Sequence, residues 1–224
     1  MTTPDASQLR GRPGREFAEM RLLMHEFDHW PAEYMDPSRR DPFTPSPVPA
    51  TLWNNPRARR HLSHHITRTL DLRPCIAKRP GPEWPVALLK ADALRQLALH
   101  VAAVASSVQV RRSLLREDVV AWREWLTPAP FEFAQRTASL LPLRPGAAQE
   151  IDRTLSAESV GLRWLARAAQ TWPDPVAQRF LLKMPPGDAD SPCGAEPNAA
   201  MRLASSVLSI VEPRWCSLLA KNLH

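Results

Sequence analysis

Residues 85–107 read PVALLKADALRQLALHVAAVASS, and this stretch decides the fold class. Its inward-facing positions are predicted to be Leu89, Leu94, Leu97, Val101 and Val104. Spacings of three and four residues put such positions on one face of an α-helix, whereas a strand would need strict alternation. Alanine and leucine, which favour helices, dominate the stretch. We therefore predict a helix across these residues with its apolar face buried.

The composition of the whole chain is typical of a globular protein. Of its 224 residues, 44% are hydrophobic and 23% are charged, which excludes wholesale disorder. There are 24 prolines but only 7 glycines, so a glycine-rich phosphate loop is not expected. The first residues, Met1–Ser7, lack the apolar core of a secretory signal, and no apolar run approaches the roughly 20 residues of a membrane helix. We expect a soluble protein.

The cysteines give no sign of a disulfide framework or of a nucleophile. They are Cys75, Cys193 and Cys216. Their number is odd, none belongs to a CxxC pair, and none has a histidine or aspartate at motif spacing. This usage fits a protein of the reducing cytoplasm.

Apolar positions at helical spacing flank the central stretch on both sides. They predict a helix from Arg15 to about Phe27 that ends at Trp30–Pro31, and another that starts at Pro56 with an asparagine cap. Further helices are predicted over residues 108–115, 117–126, 128–141, 151–170, 176–184 and 201–210. The predicted fold class is all-α: a single compact domain of about 8–10 helices over residues 15–224, after a disordered lead at 1–14.

Prolines predict an irregular arm between the first two helices. Residues 31–56 contain seven prolines, which forbids any long helix or strand there. Four large apolar residues in the arm predict that it docks on the surface, whereas a floppy linker is the alternative; they are Tyr34, Phe43, Leu52 and Trp53. Residues 74–85 and 185–197 are predicted to be loops by the same criterion.

Residues 25–29 read HEFDH, which matches the HExxH pattern of zinc-dependent hydrolases. On a helix, His25 and His29 lie one turn apart and could share a zinc ion, with Glu26 as the general base. The context favours a different interpretation, because Trp30–Pro31 ends the helix directly after the second histidine and no clear third ligand follows. We expect a solvent-exposed helix end, with no catalytic residue, metal or cofactor.

A basic cluster begins the helix that follows the arm. It consists of Arg57, Arg59 and Arg60 with His61, His64 and His65. Residues 1–80 carry 13 Lys/Arg and 9 Asp/Glu, a net charge of +4 out of +6 for the chain. A solvated basic face is the simplest interpretation. The alternatives are a face for an acidic partner, a metal or pH-sensitive histidine site, and a nucleic-acid contact.

The chain has eight tryptophans, which fall into two groups. Trp122, Trp125 and Trp164 stand next to apolar helical positions and are predicted to lie in or beside the core. The others stand beside prolines or helix ends: Trp30, Trp53, Trp84, Trp172 and Trp215. These five either cover the edges of the core or act as interface anchors, as tryptophan often does.

Several segments, taken in chain order, resemble one protein family. They are Val110–Leu115 (VRRSLL), Val119–Leu126 (VVAWREWL), Phe131–Ala134 (FEFA), Gly161–Arg167 (GLRWLAR) and Arg179–Pro186 (RFLLKMPP). Upstream, Phe27, Pro31 and Tyr34 resemble an amino-terminal Phe-Pro-Tyr pattern. Together these segments are similar to the K component of type III secretion systems, the SctK or YscK family, over residues 27–36 and 94–221.

The resemblance implies a cytoplasmic, mostly helical adaptor without catalytic activity. Members of the family sit in the sorting platform at the inner-membrane base of the injectisome. There they link the cytoplasmic domain of the ring protein SctD to the pod protein SctQ, which connects through SctL to the ATPase SctN. The resemblance therefore implies SctQ-like and SctD-like partners, no contact with nucleic acid, and attachment to the membrane only through other proteins.

The predicted partner-binding residues come from the pattern of charged and aromatic residues and from the family resemblance. They are Arg57, Arg59, Arg60, Arg111, Arg112, Trp30 and Tyr34. The first three would complement an acidic partner surface, and Arg111 and Arg112 match the paired basic position of the family. Solvated or structural roles are the alternative for all of the arginines.

Three other functions remain open at this point. A secretion chaperone would bind an exported substrate instead of the secretion machine. A zinc-dependent hydrolase would hold a stoichiometric zinc ion through residues 25–29. A nucleic-acid-binding regulator would use residues 57–60 and bind DNA with a steep dependence on salt.

Overall fold

The structure is a computed structural model that describes residues 12–44, 50–75, 81–137, 151–213 and 215–216. These residues form one compact helical unit, and no strand occurs among them. The helices are α1 Arg12–His29, α2 Pro31–Tyr34, α3 Pro56–Thr69, α4 Trp84–Ala87, α5 Ala91–Arg112, α6 Arg116–Leu126, α7 Pro128–Thr137, α8 Ala157–Ala169, α9 Asp174–Leu181, α10 Pro186–Ala189 and α11 Pro197–Val211. The predicted all-α class is confirmed.

The helix α5 is the centre of the main core and packs against α7, α8 and α11. Residues 101–107 of α5 are all buried, including Ser106, whose hydroxyl donates to the carbonyl of Ala102 at 2.8 Å. Small side chains let α8 approach α5 closely, since Gly161 of α8 lies directly against the backbone of Ala98. The stretch that carries the helical pattern in the sequence is therefore deeply enclosed in the fold.

The central helix differs from its prediction at both ends. The predicted helix over 85–107 is interrupted after α4, and Lys90 has the extended backbone of a helix cap. Leu88 and Leu89 are both buried in this break, so packing stabilises the turn. The separate helix predicted over 108–115 is wrong, because α5 continues to Arg112.

Three other predicted segments differ from the observed structure. The predicted helix over 151–170 begins only at Ala157, because Asp152 binds the backbone and hydroxyl of Thr154 in a local turn and Ser156 then caps α8. The predicted loop at 185–197 contains the short helix α10. Within the predicted lead at 1–14, residues 1–11 lie outside the described residues, and α1 already begins at Arg12.

The described parts of the proline-rich arm, residues 31–44 and 50–56, are docked on the rest of the fold, as the apolar residues of the arm predicted. It forms α2 and three 3₁₀ turns, Pro37–Arg39, Asp41–Phe43 and Ala50–Asn54. A second, smaller core holds it against α3, formed by Ala32, Met35, Phe43, Trp53, Ile66, Leu72 and Leu182. The amide of Asp36 donates to the carbonyl of Leu182 at 2.8 Å, and this bond ties the arm to the end of α9.

None of the described helices combines the length and the apolar character that a membrane crossing requires.

Candidate interaction surfaces

The helix α3 begins at a side-chain cap and is attached to the rest of the fold through a narrow buried face. The side chain of Asn55 accepts from the amides of Arg57 at 2.9 Å and Ala58 at 3.3 Å, and Pro56 occupies the first helical position. Ile66 is fully buried, and the buried hydroxyl of Ser63 accepts from the amide of Ala32 in α2 at 3.2 Å. One face of α3 is thus fixed to the arm.

Two of the predicted arginines contact side chains in the arm or directly before it. Arg59 is paired with Glu33 of α2, and both side chains are about one-third exposed. The guanidinium of Arg60 lies over the ring of Trp30, 5.5 Å from its centroid. The structure therefore brings Trp30 and the cluster at 57–60 together, as neighbouring parts of one surface.

The remaining cationic and imidazole side chains of α3 share its exposed face. They are Arg57, Arg60, His61, His64, His65 and Arg68, and we call them the α3 face. Their spacing of three and four residues places them along one side of the helix. α3 contains no aspartate or glutamate, so the helix itself contributes only positive charge to this side.

Tyr34 lies on the inner side of the arm. Its hydroxyl donates to the carbonyl of Phe27 at 2.8 Å, and its ring stacks on that of Phe27 at a centroid distance of 5.3 Å. Burial raises the pKa of the Tyr34 phenol well above its usual range. Its predicted role in partner binding stays a prediction, and its observed contacts are internal.

Lys183 joins the arm to the break between α4 and α5. Its ammonium donates to the carbonyls of Ala87 at 2.6 Å and Leu89 at 2.8 Å. It also lies about 5 Å from the ring centroids of Phe27 and Tyr34. Burial lowers the pKa of this ammonium to about 7, and the carbonyls and the two rings are the groups that stabilise its charge. We call this cluster the Lys183 junction.

The stability of the fold is expected to depend on the protonation of Lys183. The pKa of the Lys183 ammonium is about 7 in the folded chain, whereas that of an ordinary lysine is 10.5. Between these two pH values the side chain is therefore more fully protonated in the unfolded chain than in the folded chain. The free energy of unfolding should rise from pH 7 to 8.5, by at most about 1.4 kcal/mol per pH unit from this group. Urea unfolding across this range measures the slope.

The matched pair for this test is Lys183→Met and Lys90→Met. Lys90 is exposed, so its replacement should leave the slope as it is in the natural chain. Lys183→Met should flatten the slope, and an unchanged slope in that variant would show that another group is responsible.

Arg179 is a buried cation beneath the same corner. It is 1% exposed, and its guanidinium forms an ion pair with the carboxylate of Asp28 at 3.1 Å. It also donates to the backbone carbonyls of Asp28, Arg73 and Pro175, at 3.1, 2.5 and 3.2 Å. One side chain of α9 thereby holds the end of α1 and the segment after α3.

Arg111 and Arg112 lie on a different surface. They are exposed at the last turn of α5, about 30 Å along that helix from its first residue. Beside them, Leu114 is 91% exposed and Leu115 59% exposed, and Val120 of α6 adds further apolar area. We call this surface the α5–α6 corner.

The HExxH residues occupy the end of α1. His25 and His29 are exposed, and their rings stack at a centroid distance of 4.3 Å. α1 ends at His29, as predicted. Among the residues that the structure describes, no three His, Cys, Asp or Glu side chains are grouped so that they could hold a metal ion.

The three cysteines are half-buried and unpaired with one another. Burial raises the pKa of all three thiols, and that of Cys75 reaches about 12. A raised pKa keeps a thiol protonated near neutral pH, which disfavours a nucleophilic role.

A cleft of about 520 Å³ lies beside the Lys183 junction. Its walls contain five carboxylates and four cationic side chains: Glu26, Glu33, Asp36, Asp92 and Glu158 with Arg40, Lys90, Arg95 and Lys183. Because the two signs nearly balance, the cleft offers no strong field of one sign for a charged ligand.

The tryptophans lie mostly inside. Trp122 and Trp164 are buried and Trp125 is half-buried, which confirms their predicted place in or beside the core. Of the other five, Trp53, Trp84 and Trp172 are buried, and Trp30 and Trp215 are partly exposed. Of these five, only the last two could contribute an aromatic anchor to a partner without rearrangement.

The structural roles of Arg179 and Lys183 were not predicted from the sequence. Both belong to the segment RFLLKMPP, in which the two charged residues stand among apolar ones. A signal was available: Arg179 lies three residues after the buried Val176, on the apolar side of α9. A charge in that position is expected only where a buried partner exists.

Comparison of the chain with protein-family models, with curated proteins and with solved structures finds no match.

Proposed function

We propose that this protein is a non-enzymatic adaptor of a type III secretion sorting platform, which connects an SctD-like ring protein to an SctQ-like pod protein. In this role it acts in the cytoplasm at the inner-membrane base of the apparatus and reaches SctL and SctN only through the pod. The observation that carries the proposal is the presence of two separate exposed surfaces, the α3 face and the α5–α6 corner. An adaptor needs two such surfaces because it holds two partners at once.

The packing of the family-like segments also supports the proposal. The upstream pattern of Phe27 and Tyr34 meets the segment RFLLKMPP at Lys183, although about 150 residues separate them in the sequence. The segment GLRWLAR lies in α8, which packs against α5. These three segments therefore contact other parts of the fold, whereas four residues of the segment VRRSLL are exposed on the α5–α6 corner: Arg111, Arg112, Leu114 and Leu115.

The proposal predicts which proteins accompany the chain in its own cell. A tag placed at the native locus, followed by gentle lysis and mass spectrometry, should recover both the pod protein and the ring protein. Recovery should fall to background in cells from which the injectisome genes are deleted. If cells with working injectisomes yield neither component, the proposal is wrong.

The same experiment separates the other candidate functions. An exported substrate recovered without the machine would indicate a chaperone. Stoichiometric zinc in the purified protein, lost in His29→Ala, would indicate the hydrolase. Co-purified nucleic acid that is released steeply by salt would indicate a regulator.

A further inference from the structure

The α3 face carries a concentration of positive charge on an exposed side of the fold. It presents Arg57, Arg60 and Arg68 with three imidazoles along a helix about 21 Å long, with no acidic residue in that helix. Glu33 of the arm pairs with α3 through Arg59, which is not part of the α3 face. Such a surface attracts a partner of opposite charge.

We infer that the α3 face is the docking surface for an acidic surface of one of the two partner proteins. The inference rests on the proposed function and adds to it the position and the chemistry of one interface. Guanidinium groups bind carboxylates with two parallel hydrogen bonds, and imidazoles supply further donors. Complementary charge therefore favours a partner rich in aspartate and glutamate at this site.

The local structure favours a protein over a phosphate backbone as the occupant. A helix N-terminus binds phosphate through free backbone amides, but the side chain of Asn55 already accepts from the amides of Arg57 and Ala58. The α3 face also has only three arginines, which is fewer cationic side chains than the dense basic face of a nucleic-acid-binding domain carries.

The α3 face and the α5–α6 corner offer a matched test. Arg57→Glu with Arg68→Glu reverses two exposed charges on α3, and Arg111→Glu with Arg112→Glu makes the same change in charge on the corner. All four positions are exposed, so both variants should keep the helical circular dichroism of the natural chain. Arg68, Arg111 and Arg112 lie in the last turns of α3 and α5, so glutamate at these positions should lower the thermal midpoint only modestly. Each tagged variant is expressed from the native locus, and the pod and ring proteins recovered with it are quantified.

The α3 variant should lose one of the two partners by at least about tenfold and retain the other. The corner variant should retain the partner that the α3 variant loses. The purified natural chain should bind that partner more weakly at about 300 mM than at about 50 mM NaCl, and the α3 variant should show little of this salt dependence.

Several results would overturn the inference while leaving the proposed function intact. One is recovery of both partners by the α3 variant at the natural level, and another is loss of the same partner in both variants. Tighter binding of the natural chain to a random DNA duplex than to either partner would assign the face to nucleic acid instead. If the natural chain recovers neither partner, it is the proposed function that fails.

Discussion

Replacing Arg179 by methionine is expected to destabilise the protein by about 3–5 kcal/mol. The substitution leaves the carboxylate of Asp28 without its cation, and this carboxylate is only 17% exposed. It also removes the guanidinium N–H groups that donate to three backbone carbonyls. Because small proteins are stable by only about 5–15 kcal/mol, urea unfolding at pH 7 should show a large fall in the midpoint.

Two further variants make this expectation specific. Arg123→Met changes an exposed arginine of α6 and should alter stability by less than about 0.5 kcal/mol. In Asp28→Asn with Arg179→Met the unpaired charge is gone, so this double variant should be more stable than Arg179→Met alone. The side-chain oxygen of the introduced asparagine can still accept from the backbone amide of Cys75, as the Asp28 carboxylate does at 2.8 Å. If both Arg179 variants are equally unstable, the lost ion pair is not the cause.

Gly161→Ala is expected to have the second large effect, a loss of about 3 kcal/mol. A Cβ atom at this position would overlap the carbonyl group of Ala98 and lie 2.7 Å from its Cα atom. The obstruction is backbone, so it cannot be relieved by rotating a side chain. The helices α5 and α8 would have to separate, and their contact is the most extensive one between the described helices. Thermal unfolding by circular dichroism measures the effect.

Gly187→Ala is the matched control for this substitution. Gly187 lies in α10, and nothing is within 4 Å of the position its Cβ atom would take. Alanine there should leave stability unchanged or raise it by up to about 1 kcal/mol, since it restricts the unfolded chain. Equal losses at both positions would mean that the close approach of α5 and α8 does not explain the effect.

Both predictions concern residues that connect distant parts of the chain. Arg179 joins α9 to the end of α1, and Gly161 allows α8 to lie against α5. Neither residue belongs to a proposed interaction surface. Their variants test the scaffold, whereas the charge reversals on α3 and the α5–α6 corner test the interfaces that the scaffold presents.

The sequence predicts the role of a surface residue less well than that of a buried helical position. Arg57, Arg59 and Arg60 form one basic cluster in the sequence. In the structure, however, Arg59 of α3 is paired with Glu33 and so helps to hold the arm against α3. The three histidines at 61, 64 and 65 do share the exposed side with Arg57, because helical spacing alone decides that. The partner of a charged side chain can come from another element, and α2 supplies it here.

The sequence by itself determined the helical class, the buried face of α5, the end of α1 and the capped start of α3. Apolar periodicity, proline and asparagine act within one or two turns of a helix, so these features need no knowledge of distant residues. Only the tertiary structure decided the break between α4 and α5, where Lys183 binds the carbonyls of Ala87 and Leu89 from more than 90 positions away. Burial of Leu88 and Leu89 stabilises that turn, and such contacts exist only once the helices have packed together.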